Sequence, residues 1–162
     1  MTMLGGSIAG VLDILFAVSF GAFNGVSPIR VLQSVASGAL GAAAFTGGVP
    51  TAVLGLLMHM ALSLVWASVF LVVASRWPVM MRRPVLAGVV FGVVVFVVMR
   101  LLVLPLSAFP YPVSFKPLAT VLDLLSHTLL FGVPIAWAVR KASVGAPAVV
   151  TDVGSAPSTG RS

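Results

Sequence analysis

The chain has no cysteine and no glutamate, and only 7% of its 162 residues are charged. Without cysteine there is no disulfide framework, no thiolate nucleophile and no Cys-type metal site. Without glutamate, paired-carboxylate chemistry within the apolar part rests on Asp13 and Asp123 alone. The shortage of charge excludes more. An ordinary soluble domain is roughly 25% charged, and the surface of a small domain is a large share of its bulk. Nine Lys plus Arg and three Asp cannot coat such a surface. A disordered chain is excluded as well, because it would be polar and poor in aliphatics.

What the chain has in abundance is apolar length. Hydrophobic residues make up 60% of it, and the mean hydropathy is +1.20. A helix needs about 20 apolar residues to cross the hydrocarbon of a bilayer. Four stretches qualify, at about 6–23, 51–74, 85–106 and 118–139. They are too long for strands of a membrane barrel and lack the alternation a barrel needs. Pro50, Pro84 and Pro117 stand where the last three begin, and proline at the first helical position forfeits no hydrogen bond. Trp77, Tyr111 and Trp137 fall near predicted span ends, where amphipathic rings favour the headgroup region. The expected fold is an all-α integral membrane bundle of four transmembrane helices, with residues 1–141 as the helical domain.

The formal net charge is +6. The cations are scattered over loops and helix ends, which reads as orientation bias and not as a nucleic-acid surface. Arg76, Arg82 and Arg83 follow the second span, and Arg140 and Lys141 follow the fourth. Placing these in the cytoplasm puts both termini inside and leaves Arg30 and Lys116 outside. The start of the chain has no basic residue, and Asp13 interrupts its apolar run. It therefore reads as a retained span and not as a cleaved signal.

Residues 28–46 are amphipathic. Ser27-Pro28 supplies a cap and a first-turn proline. Arg30, Gln33, Ser34 and Ser37 share one face, and Leu32, Ala36, Ala39, Leu40 and Ala43 another. A short helix is expected here, interfacial or re-entrant, with a fifth span as the rival. Residues 142–162, of Ala, Gly, Ser, Pro, Val and Thr, read as a disordered cytoplasmic tail.

Five titratable side chains fall inside the spans: Asp13, His59, Arg100, Asp123 and His127. A charge at the bilayer centre costs ~2.5–3.5 kcal/mol, so three standing alone cost roughly 8–10 kcal/mol. They are expected to face inward and pair. Asp123 and His127 are four apart and share a helical face. Arg100 can pair with Asp123 or Asp13, and a histidine with the second carboxylate. Such a cluster either locks helices in register or forms part of a proton or small-solute pathway. Pro105 and the Gly132-Val-Pro134 segment are broken-helix signals, and Pro134 deprives the Leu130 carbonyl of its usual partner.

Two other classes remain. His59 and His127, from different spans at similar depth, suit the axial ligands of a haem electron carrier, with glycines 55, 88 and 92 making room for the porphyrin. A membrane scaffold recruiting partners through its loop or tail is the second. No catalytic residue, cofactor or metal site is assigned. Nucleophile elbow, phosphate loop and zinc-protease motifs are absent, and an enzyme is not expected. Ser126 and His127 point about 100° apart on a helix and make no triad. Gly6–Gly10 and Gly88–Gly92 have GxxxG spacing, for packing within the chain or for a homo-oligomer.

Several segments together resemble a group of small bacterial inner-membrane proteins of the YagU-like type. They are Ile29-Arg-Val-Leu-Gln-Ser-Val-Ala-Ser-Gly38, Leu54-Gly-Leu-Leu-Met-His59, Arg82-Arg-Pro-Val-Leu-Ala-Gly88, Leu104-Pro-Leu-Ser107, and Ser126-His127 with Gly132-Val-Pro134. They cover most of the chain outside the tail. The resemblance implies a multi-spanning protein of the bacterial inner membrane, with the lipid bilayer as its surroundings. It carries over no catalytic residue.

Overall fold

A computed structural model of the chain describes residues 2–144. Helix α1 runs Thr2–Phe23, α2 Pro28–Leu40, α3 Gly48–Arg76 and α4 Pro84–Leu106. Helix α5 begins as Pro117–Leu125, widens over Ser126–Gly132 and ends as Val133–Val144. Short 3-10 turns, Gly41–Thr46 and Pro78–Arg82, join α2 to α3 and α3 to α4. Among the described residues there is no strand. Four helices, α1, α3, α4 and α5, are long and apolar enough to cross a membrane. The chain is an all-α, multi-pass membrane bundle.

Pro84 and Pro117 open their helices, whereas α3 starts two residues before Pro50, at Gly48. The expected tail lies outside the described residues except for 142–144, which continue α5. Helix α2 has 13 residues, about 20 Å at 1.5 Å per residue, and falls short of the roughly 30 Å of hydrocarbon. It is no fifth span.

The bundle is sorted by size and not by polarity. Buried positions hold Ala9, Ala67, Ala74, Ala87 and Ala136 around Phe70, Phe91 and Ile135, while Leu57, Val72, Val94, Leu118 and Leu129 stand exposed on the outside. That is the arrangement expected when the surroundings are hydrocarbon, where close backbone packing replaces the hydrophobic effect. Glycines mark the closest approaches. A methyl on Gly55 would run into the Leu32 carbonyl of α2, and one on Gly92 into the His127 carbonyl of α5. Gly88 faces Gly132 in the same crossing, and Gly6 and Gly10 face Ala67 and Ser63 of α3. Both GxxxG spacings are therefore used within the chain.

Helix α2 lies against the first half of α3 with Gln33, Ala36 and Ser37 buried, while Arg30 stands exposed. Gln33 is buried and donates to the Gly48 carbonyl at 2.9 Å and to Thr51 Oγ1 at 3.3 Å. Ile29 and Leu40 are exposed. The buried face is mixed, with Ala36 beside Gln33 and Ser37, and Ile29 and Leu40 turn toward lipid.

The two ends of the bundle differ. The packed core, from Ala9 through Phe70 and Phe91 to Val139, fills the end where α1 begins, α3 ends, α4 begins and α5 ends. The opposite end is roofed by α2, the Gly41–Thr46 turn and the 107–116 loop. Ala108 donates to the Gly38 carbonyl at 2.9 Å, and Phe45 and Phe109 flank Tyr111 at 5.7 and 5.8 Å.

Overpacking a core costs about 1–3 kcal/mol, and these crossings touch backbone that cannot yield. Gly55→Ala and Gly92→Ala are expected to lower the melting temperature in detergent. Gly38→Ala, whose methyl would meet Ser107 at an ordinary 3.8 Å, is expected to leave it unchanged or raise it.

Candidate functional site

Beneath that roof lies a cavity of about 820 Å³, and Asp13, His59, Arg100, Asp123 and His127 all line it. Four helices deliver these residues to one chamber. Ser34, Ser63, Ser107 and Ser114 share the lining with an apolar wall that includes Met58, Trp66, Val95, Met99 and Phe131.

The cluster has two halves. In the first, Arg100 donates from Nε at 3.1 Å and from Nη2 at 2.9 Å to the same oxygen of Asp123, Oδ2. Its Nη1 donates to the Ser114 carbonyl at 2.7 Å. The rings of Phe96 and Phe115 lie 5.5 and 5.4 Å from the guanidinium carbon. His127 Nδ1 reaches the Asp123 carbonyl at 2.9 Å and Asp123 Oδ1 at 3.2 Å. Both carboxylate oxygens of Asp123 are thus engaged. A carbonyl can only accept, so His127 carries its proton on Nδ1.

In the second half, Ser126 Oγ donates to Asp13 Oδ1 at 2.5 Å. His59 Nε2 donates to the Gly10 carbonyl at 3.0 Å and lies 3.9 Å from Asp13 Oδ2. The same logic fixes the proton of His59 on Nε2. Asp13 also lies within electrostatic reach of His127, which joins the halves.

Local backbone chemistry sets these positions. Arg100 and His127 each sit in a wide helical turn, Met99–Val103 and Ser126–Gly132. Each wide turn ends just ahead of a proline, Pro105 or Pro134. A proline has no N–H and crowds the carbonyl four residues back. The residue before each proline instead bonds five back, Leu104 to Met99 and Val133 to Thr128. Such π-type turns often accompany functional side chains. The Gly88–Gly92 notch of α4 then seats directly on the wide turn of α5.

All five residues picked out by charge and depth therefore meet. Arg100 takes Asp123 and leaves Asp13 to Ser126 and His59. Ser126 was missed as a member, because its neighbour His127 suggested only a failed triad. A hydroxyl one position from a polar residue in an apolar span was the available signal. The role of the 107–116 loop, through the Ser114 carbonyl and Tyr111, had none. The glycines expected to clear space for a porphyrin do not: Gly55, Gly88 and Gly92 are filled by the backbones of α2 and α5. The Nε2 of His59 is also spent on Gly10. Among the described residues no group of three or more His or Asp side chains is set to hold a metal ion.

Removing one partner of a fully buried ion pair costs about 3–5 kcal/mol and a solvated surface charge contributes about 0–1 kcal/mol; Arg100 and Asp123, 17% and 34% exposed, fall between. Arg100→Ala is expected to lower the detergent melting temperature clearly, and Arg82→Ala, exposed beyond α3, scarcely at all. Equal shifts would show that the Arg100–Asp123 pair is not holding the helices.

Comparison of the chain with protein-family models, with curated proteins and with solved structures finds no match.

Proposed function

We propose that the protein is a non-enzymatic protein of the bacterial inner membrane whose interior chamber receives a small solute or proton at the Asp/His/Arg cluster. The observation that carries this reading is that five titratable side chains from four helices line one cavity large enough for a ligand. A cluster serving only to lock helices would be expected to close into a dry core. Here the dry core is elsewhere, at the opposite end of the bundle. The chamber thus ends against that packed layer and is not an open pore. The kinship with YagU-like proteins belongs to the same proposal, and a homo-oligomer is compatible with it.

The orientation proposed has both termini in the cytoplasm. Its support is that Arg76, Arg82, Arg83, Arg140 and Lys141 gather at the end where α1 begins, while Arg30 and Lys116 lie at the other. The chamber then faces the periplasmic half. A C-terminal reporter active only in the periplasm should stay silent, and a cytoplasmic fluorescent one should light up.

The chain's lack of cysteine makes solvent access testable with single substitutions. Ser34→Cys, in the chamber wall, is expected to react with a charged, membrane-impermeant thiol reagent in native membranes. Val94→Cys, exposed at mid-span on the outside of α4, is expected to stay unreacted in lipid. An inert Ser34→Cys would leave the cluster a purely structural lock.

A further inference from the structure

We propose that the chamber binds a hydrophobic organic ammonium cation, held by Asp13 and by the aromatic rings of the chamber wall. The inference rests on the reading of the chamber as a solute site and names its ligand class.

The unequal pairing of the two carboxylates points to a cation. All three nitrogens of Arg100 already donate, two to Asp123 and one to the Ser114 carbonyl. Its flanks are taken by Phe96 and Phe115. The N–H of His127 is given to Asp123, that of His59 to Gly10, and the Ser126 hydroxyl to Asp13. Arg100 is thus committed to Asp123, and Asp13 is the carboxylate left without a guanidinium. Its Oδ2 has His59 no closer than 3.9 Å. The N–H groups of an ammonium find an acceptor in that oxygen.

Charge agrees with this count. Arg100 is the one arginine or lysine in the lining, against two carboxylates, Asp13 and Asp123. A bound monocation would supply a counterion to Asp13, and a carboxylate at membrane depth is costly without such a partner. The remaining wall suits the rest of such a ligand. Trp66, Phe109, Tyr111 and Phe131 line the same space, supplying apolar area and ring faces that attract cations.

The test is calorimetric titration of the full chain in lipid nanodiscs with phenylbutylammonium, phenylbutanoate and phenylbutanol, which share one apolar body. Saturable binding of the ammonium alone is expected. Asp13→Asn, nearly isosteric, should weaken it about tenfold or more, the usual effect of losing a charged hydrogen bond. Ser126→Ala keeps the carboxylate and removes its internal donor, so it should bind at least as tightly as the unaltered chain. Equal binding of the acid or the alcohol overturns the assignment, as does unchanged binding by Asp13→Asn. Loss in Ser126→Ala equal to that in Asp13→Asn also overturns it, because cluster integrity alone would then matter. If Ser34→Cys reacts with the charged thiol reagent but the ammonium neither binds nor protects it, the chamber reading stands and the ligand class falls. If Ser34→Cys is inert and nothing binds, both fall.

Discussion

The pairing of Arg100 with Asp123 is the constraint on which the rest of the bundle turns. Neither charge is tolerable alone at that depth, so α4 and α5 must cross where the two side chains can meet. That crossing needs backbones nearly in contact, which Gly88, Gly92 and Gly132 permit. It also needs the side chains aimed across the gap, and the wide turns before Pro105 and Pro134 carry Arg100 and His127. Charge, glycine and proline, scattered along the sequence, thus answer one geometric demand. His127 completes it by holding the second oxygen of Asp123.

The other half of the cluster links different elements. Asp13 joins α1 to α5 through Ser126, and His59 joins α3 to α1 through the Gly10 carbonyl. Each of the four long helices contributes one titratable side chain or more, so the cluster reports on the assembly of the whole bundle. The small residues around Phe70 and Phe91 hold the opposite end by shape alone. One end is thus specified by hydrogen bonds and the other by packing.

Much of this was legible before any coordinates. The four spans follow from apolar length, and the five polar residues stand out because hydrocarbon makes them expensive. Four-residue spacing already joined Asp123 to His127. What remained hidden depends on neighbours distant in sequence. The choice of Asp123 over Asp13 as the partner of Arg100 depends on how α4 crosses α5. The burial of Gln33 could not be read from the amphipathicity of α2, because it depends on the Gly48 carbonyl and the Thr51 hydroxyl of α3. Glycines 55, 88 and 92 were visible as gaps, but whether a gap admits a cofactor or a helix is a property of the fold.

The contrast between a solid end and a hollow one has an electrical consequence. A transmembrane voltage falls mainly across low-dielectric material, and moving one elementary charge through all of it is worth about 2.3 kcal/mol per 100 mV. If water reaches the chamber past its roof of α2 and the 107–116 loop, the floor lies near the potential of that side. The drop is then compressed into the packed layer of Ala67, Phe70, Phe91 and Ile135. Asp13 and His59 would stand at the edge of that layer, where the field is steepest, and a cation settling beside them would sense little of the voltage on arrival and nearly all of it on any onward step.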